Sequence, residues 1–386
     1  MEPWKKPLAL GAAALVVTSM AACSSEKDSS SGAAASNSAV SDDVQTALDE
    51  GYEGTFRALP TSSPEPARDK NVWVISLTLQ SPSPQNVAAG IEEAGALLGW
   101  ETTVFDGESN PTTMNDGIRQ AIAAGADGII LNLVECAPVS GALRDAREAG
   151  IKIFGAGGND CEASGAGPNL FDAGTYDAYP GGREAADEDY ARFGAAWVAS
   201  RASGDTSILQ LTEPDYPSLG PRLEAFRTDI SEFCSDCNVD QVEFALTDLG
   251  TSLRQKVESG LLQHPDTDFV VFPYDAAILL GGSAAIQASP RRAELQVLGG
   301  ECLAPNVELI RSGSGQNACV ATPYPWLGWA SADGLNRVFQ NSPQVDSGIG
   351  YLLIDAEHNL PDEGVTFDGS EDYQANYREI WGVTGS

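Results

Sequence analysis

Between residues 72 and 154 the chain alternates short apolar runs with segments of helical periodicity, and that alternation restricts its fold more than any other feature. Residues 72–75, 102–105, 128–134 and 151–154 have the length and composition of buried strands. Between them, 86–98 puts Val87, Ile91, Ala94 and Leu98 on one helical face, and 114–124 and 138–149 repeat the pattern, the last with Pro138 near its start. Strands separated by helices need crossover connections, which make the strands parallel in a doubly wound α/β sheet. The pattern then restarts. Helices at 182–200, 222–233, 252–263 and 276–288 alternate with strands at 207–211, 241–246, 269–272 and 296–299. Two α/β lobes follow one another, and the strand at 317–322 leads to a helix at 326–339 that should cross back to the first.

The amino end has a different character. Lys5 and Lys6 precede a short apolar stretch, residues 8–18, and Met20-Ala21-Ala22-Cys23 then opens onto a tail rich in Ser, Ala and Gly. The apolar stretch is well short of the roughly 20 residues that span a bilayer, so it reads as an export signal rather than a membrane helix. Met20 to Cys23 resembles a bacterial lipobox, with Met where Leu is usual. The resemblance implies that residues 1–22 are a signal peptide and that Cys23 is lipidated, anchoring an extracytoplasmic protein to the cell membrane. Residues 23–69 are expected to be a flexible tether, with a short helix near 40–50 and an extended Pro-containing stretch at 61–69.

The net charge of −33 argues against nucleic acid or an anionic membrane surface as a partner. Setting Cys23 aside leaves an even number of the 7 cysteines for an oxidising compartment. Cys136 and Cys161 each follow a strand of the first lobe, so both fall at one edge of its sheet. Cys302 follows one strand and Cys319 opens the next. The expected pairs are Cys136–Cys161, Cys234–Cys237 and Cys302–Cys319. Cys234-Ser235-Asp236-Cys237 is read as a structural staple because it opens no helix after a strand, and no second such pair exists for zinc.

Several phrases together carry a family likeness: Gly125-Ala126-Asp127-Gly128-Ile129-Ile130, Ala149-Gly150-Ile151-Lys152-Ile153, Gly181-Gly182-Arg183-Glu184-Ala185-Ala186, Arg222-Leu223-Glu224-Ala225-Phe226, His264-Pro265-Asp266 and Tyr274-Asp275. In this order and spacing, residues 70–360 resemble the type I, ribose-binding class of periplasmic solute-binding proteins, which serve ABC importers. The resemblance implies two Rossmann-like lobes joined by a three-segment hinge near Tyr176, Thr322 and Gly348. The first lobe would comprise 71–176 and 323–347, and the second 177–322 and 348–386. It also implies a monomer that delivers a monosaccharide or polyol to a membrane permease, with no cofactor, metal or enzymatic activity.

Ligands of open parallel sheets bind beyond the carboxyl ends of the strands, so two facing lobes enclose a solute between two sets of strand ends. By resemblance, Arg222 and Glu301 match the family's solute-contacting arginine and aspartate, and Tyr274 stands where an Asn is often used, beside Asp275. In the first lobe the usual aromatics after the first strand are replaced by Gln80-Ser81-Pro82-Ser83-Pro84, and the aspartate after the fourth strand by glycine in Gly155-Ala156-Gly157-Gly158. Asn132, Glu135, Asn159 and Asp160 are the polar candidates there, and Tyr324 and Trp326 the candidate stacking platform. Alternative readings are a ligand sensor that presents its closed form to a membrane receptor and a lipid-anchored hydrolase. The hydrolase lacks a Gly-x-Ser-x-Gly elbow and a His-Glu-x-x-His motif, and the glycines at 155–158 lack the full dinucleotide fingerprint.

Overall fold

A computed structural model describes residues 40–383. The lipobox, Cys23 and the start of the tether lie outside the described residues, as do 384–386.

The first sheet contains β1 (Asn71–Ser76), β2 (Glu101–Asp106), β3 (Gly128–Asn132), β4 (Lys152–Ala156) and β5 (Ala173–Gly174), all parallel, in the order β2-β1-β3-β4-β5. Every residue of β3 is buried, as a central parallel strand covered on both faces requires. On one face pack α2 (Pro82–Leu98) and, from much later in the chain, α11 (Tyr324–Phe339). On the other pack α3 (Pro111–Ala123) and α4 (Cys136–Glu148). The helix ends follow local chemistry. Asn110 accepts the Thr112 N–H at the start of α3, with Pro111 in the first turn, and Gly99 closes α2 in the left-handed conformation at φ 79°.

The second sheet has the order β11-β10-β9-β8-β6-β7. Its members are β6 (Ser207–Thr212), β7 (Asn238–Glu243), β8 (Thr267–Val271), β9 (Gln296–Glu301), β10 (Ala318–Ala321) and β11 (Leu352–Asp355), the last antiparallel. Helices α5 (Gly182–Ala199) and α6 (Gly220–Phe233) cover one face. On the other lie α7 (Leu253–Gln263) and the expected helix 276–288, which is broken into α8 (Asp275–Ala277) and α9 (Ser283–Ala288). The break is at Gly281, φ 155°, where a Cβ would stand 2.9 Å from the Arg254 backbone nitrogen of α7. Helix α10 (Ala304–Ser312), between β9 and β10, completes the lobe. The sulfurs are bonded as Cys136–Cys161, Cys234–Cys237 and Cys302–Cys319.

The chain crosses between the lobes at residues 175–181, 322–323 and 340–351, and at two further places. Residues 42–69 do not form a flexible tether. Helix α1 (Asp42–Glu53) buries Val44, Ala47 and Leu48 against α5 and β11 of the second lobe, because its apolar residues recur on one face. The chain then runs to the first lobe beside the third crossing: Thr55 donates to the Tyr351 carbonyl at 3.0 Å and Arg57 to that of Gly348 at 2.9 Å. Gly350 permits this approach, since a Cβ there would lie 2.3 Å from the Thr55 carbonyl. The assignment of all of 348–386 to the second lobe also needs correction. Helix α12 (Tyr373–Ile380) returns to the first lobe, where Trp381 stacks on Trp329 at 5.6 Å and Tyr373 on Trp326 at 5.3 Å. Burying those rings outweighs leaving them on the second lobe's surface.

Candidate functional site

The carboxyl ends of both sheets face one cleft, with a cavity volume of about 480 Å³, inside the range of about 300–1,000 Å³ usual for small-molecule sites. Backbone strain gathers at its walls. Leu133, after β3, has φ 56°, and Glu301 and Cys302, at the end of β9, have φ 77° and 54°. Non-glycine residues hold such conformations only where surrounding structure enforces them, and this happens most often at ligand sites.

Hydrogen bonds join the lobes across the cleft. Tyr216 donates to the Leu133 carbonyl at 2.7 Å, Arg183 to that of Gly157 at 2.8 Å, and the Ser218 amide to the Glu135 carboxylate at 3.3 Å. Ser83, at the start of α2, donates to Glu301 at 2.8 Å, as does Tyr324 of α11. These contacts describe a closed arrangement. Glu301 is therefore engaged by both lobes, and its other oxygen accepts from the Asp275 amide. Burial raises its pKa, and the hydrogen bonds from Ser83 and Tyr324 oppose the rise.

Arg222, at the start of α6, lines the cleft. Its guanidinium donates twice to one oxygen of Asp187 and stacks 3.8 Å from the Tyr190 ring centre. Arg183 takes the other oxygen of Asp187 at 3.0 Å. One buried carboxylate thus holds two arginines in fixed orientations, leaving guanidinium edges toward the cavity. Tyr274 also lines the cleft, and its hydroxyl donates to Glu213.

Several candidate ligand residues stand elsewhere. Asp275 is fully buried behind the cleft wall, accepting from Gln316 at 2.9 Å and from the Leu303 amide at 3.1 Å, so its carboxylate braces the turns after β8 and β9. Asn132 is also fully buried, and its amide donates to Ser76 and to the Pro84 carbonyl, tying strand ends to α2. Trp326 packs between Phe56 and Tyr373 instead of lining the cavity. Asp160 accepts from the Cys161, Leu170 and Phe171 amides and so organises its own loop. Glu135 acts as a latch between lobes, holding the Asn159 amide as well as that of Ser218.

Sequence reading missed Glu213, Arg183, Tyr216 and Ser83. Glu213 follows β6 directly, so the strand-end rule applied to every strand would have found it. Arg183 stood inside a family phrase but far in sequence from any other candidate.

Two α/β lobes closing over a cleft at their strand ends define a bilobal ligand-capturing protein. The sequence matches the family model described as "Periplasmic binding protein domain" over residues 74–342, well over half the chain, and the chain belongs to that family. This places it among extracytoplasmic solute-binding proteins, which are not enzymes. No curated protein matches it significantly. Among solved structures it is similar to an ABC sugar transporter subunit from Rhodobacter sphaeroides, at 17% identity and TM-score 0.63 over 75% of this chain and 99% of that one. It is also similar to a solute-binding protein from Mycobacterium smegmatis with bound glycerol, at 19% identity and TM-score 0.61, covering 78% and 99%. A third, from Bacillus halodurans with bound myo-inositol, gives 17% and 0.61, covering 82% and 99%. At such identities the likeness establishes the fold alone.

Proposed function

We propose that the protein captures a small hydroxyl-bearing solute, a monosaccharide or polyol, in the interlobe cleft and delivers it to an ABC importer. The observation that carries this reading is the cleft itself, closed by hydrogen bonds from both lobes and furnished with Arg222, Arg183 and Glu301 beside tyrosine rings. Fixed guanidinium edges suit vicinal hydroxyl oxygens, and the faces of Tyr324 and Tyr274 suit the apolar side of a sugar ring. The solved relatives with bound glycerol and myo-inositol lend support by analogy. The mature protein is a monomer held to the membrane by lipid at Cys23. Mass spectrometry of its amino-terminal peptide tests the anchor: an unmodified Cys23 refutes it.

Thermal unfolding of the full-length chain in mild detergent, against a panel of sugars, polyols, sugar acids and amino acids, tests the cargo class. A ligand at about 100 times its Kd adds about 2.7 kcal/mol of stability, a readily visible shift. Stabilisation by a sugar or polyol supports the assignment. A response confined to amino acids or simple acids overturns it.

A further inference from the structure

Glu213 sits at the carboxyl end of β6, lines the cleft and is only 3% exposed. One of its oxygens accepts from the Tyr274 hydroxyl, and the other has no hydrogen-bond partner. No cationic side chain reaches it among the described residues. Arg183 and Arg222 are committed to Asp187, and Lys256 is paired with Asp248. The charged neighbours that act on Glu213 are Asp215 and Asp248, both negative. A buried carboxylate oxygen without a partner costs far more than an exposed one, so such a group is retained where something else satisfies it. Two acidic neighbours and two tyrosines that line the cleft with it, Tyr216 and Tyr274, suit a cation.

We propose that the solute carries a protonated nitrogen which donates to the free oxygen of Glu213, making the cargo an aminated sugar or polyol rather than a neutral one. This rests on the sugar or polyol reading above and adds a charge to it. The hydroxyl-bearing part of the solute faces Arg222, Arg183 and Glu301, and the ammonium group faces Glu213 and the tyrosines.

The test is a set of matched pairs, glucosamine with glucose, galactosamine with galactose, and glucamine with sorbitol, titrated calorimetrically into the full-length protein and into Glu213→Gln. Gln is isosteric and neutral, so it keeps a hydrogen-bond acceptor and removes the charge, and its thermal unfolding without ligand verifies the fold. The expected result is that an amine-bearing member binds at least tenfold more tightly than its neutral partner, and that Glu213→Gln abolishes that preference. Equal or tighter binding of the neutral member overturns the inference and leaves the sugar-receptor reading standing. An amine preference that survives in Glu213→Gln also overturns it. Silence of every pair, with a response only to compounds lacking hydroxyls, overturns the receptor reading and the inference together.

Discussion

Replacing Glu213 by Gln should also change how the stability of the unliganded protein depends on pH. Burial pushes the Glu213 carboxyl from 4.5 up to about 7, the Tyr274 hydrogen bond opposes this, and Asp215 and Asp248 add to it. An acid whose pKa is higher in the folded state keeps a proton that the unfolded chain releases. Stability therefore falls as pH rises from about 4.5 to about 7, and is insensitive to this group below and above that window. The gap corresponds to about 3 kcal/mol. The glutamine variant has no titrating proton at this position and escapes the loss. Other acids with raised pKa values, such as Asp229 at about 6, act equally in both proteins and cancel in the difference. Urea unfolding of both proteins across the window gives two stability curves, and the variant's advantage should grow by about 3 kcal/mol from the acidic to the neutral end. Parallel curves would refute the reasoning, since they would mean that Glu213 titrates as it does in water and its second oxygen is solvated.

Arg222→Ala and Glu301→Ala should each weaken solute binding at least about tenfold, or about 1.4 kcal/mol, with circular dichroism unchanged; full affinity in both variants would remove them from the site. Gly90→Ala should destabilise by about 1–3 kcal/mol, because its Cβ would lie 2.5 Å from the Pro325 carbonyl where α2 meets α11. Gly141→Ala, mid-helix in α4 with nothing within 4 Å, should instead stabilise by about 0.5–1 kcal/mol, so the same denaturation assay checks both signs. Trp381→Ala removes a ring that stacks on Trp329 and donates to Asp333 at 2.8 Å, and should cost about 3–5 kcal/mol. A loss below about 1 kcal/mol would show that the carboxyl-terminal helix adds little to the first lobe.

The two lobes were legible because their signal is local. The central strands are runs such as Ile129-Ile130-Leu131, buried on both faces, and the helices show their apolar faces within their own residues. Helix α1 has an equally clear apolar face, but it sits beside a low-complexity tail, and nothing in its sequence names α5 and β11 as partners. The carboxyl-terminal helix poses the same problem, because Tyr373, Tyr377 and Trp381 announce burial without saying against which lobe. At the site, the family likeness singled out Arg222, Glu301 and Tyr274, which line the cavity. That likeness and the strand-end rule also nominated Asp275 and Asn132, whose side chains turn back into the protein to satisfy buried backbone and amide groups. Position along the chain places a residue at a strand end, whereas the competing demands of buried hydrogen bonding decide which way it turns. Glu301 shows both at once, since its φ of 77° aims a carboxylate at Ser83 and Tyr324.

Because α1 rests on the second lobe and α12 on the first, the two ends of the described chain ride on opposite jaws. A donor dye near Asp42 and an acceptor near Ile380 would read jaw motion directly, with no label in the cleft. The same geometry gives mechanical tension a route: a load applied between those ends acts across the hinge before it acts on either sheet. Fusions and surface attachments at either end are thus not neutral handles, and a short linkage joining the two would act as a clamp on the jaws.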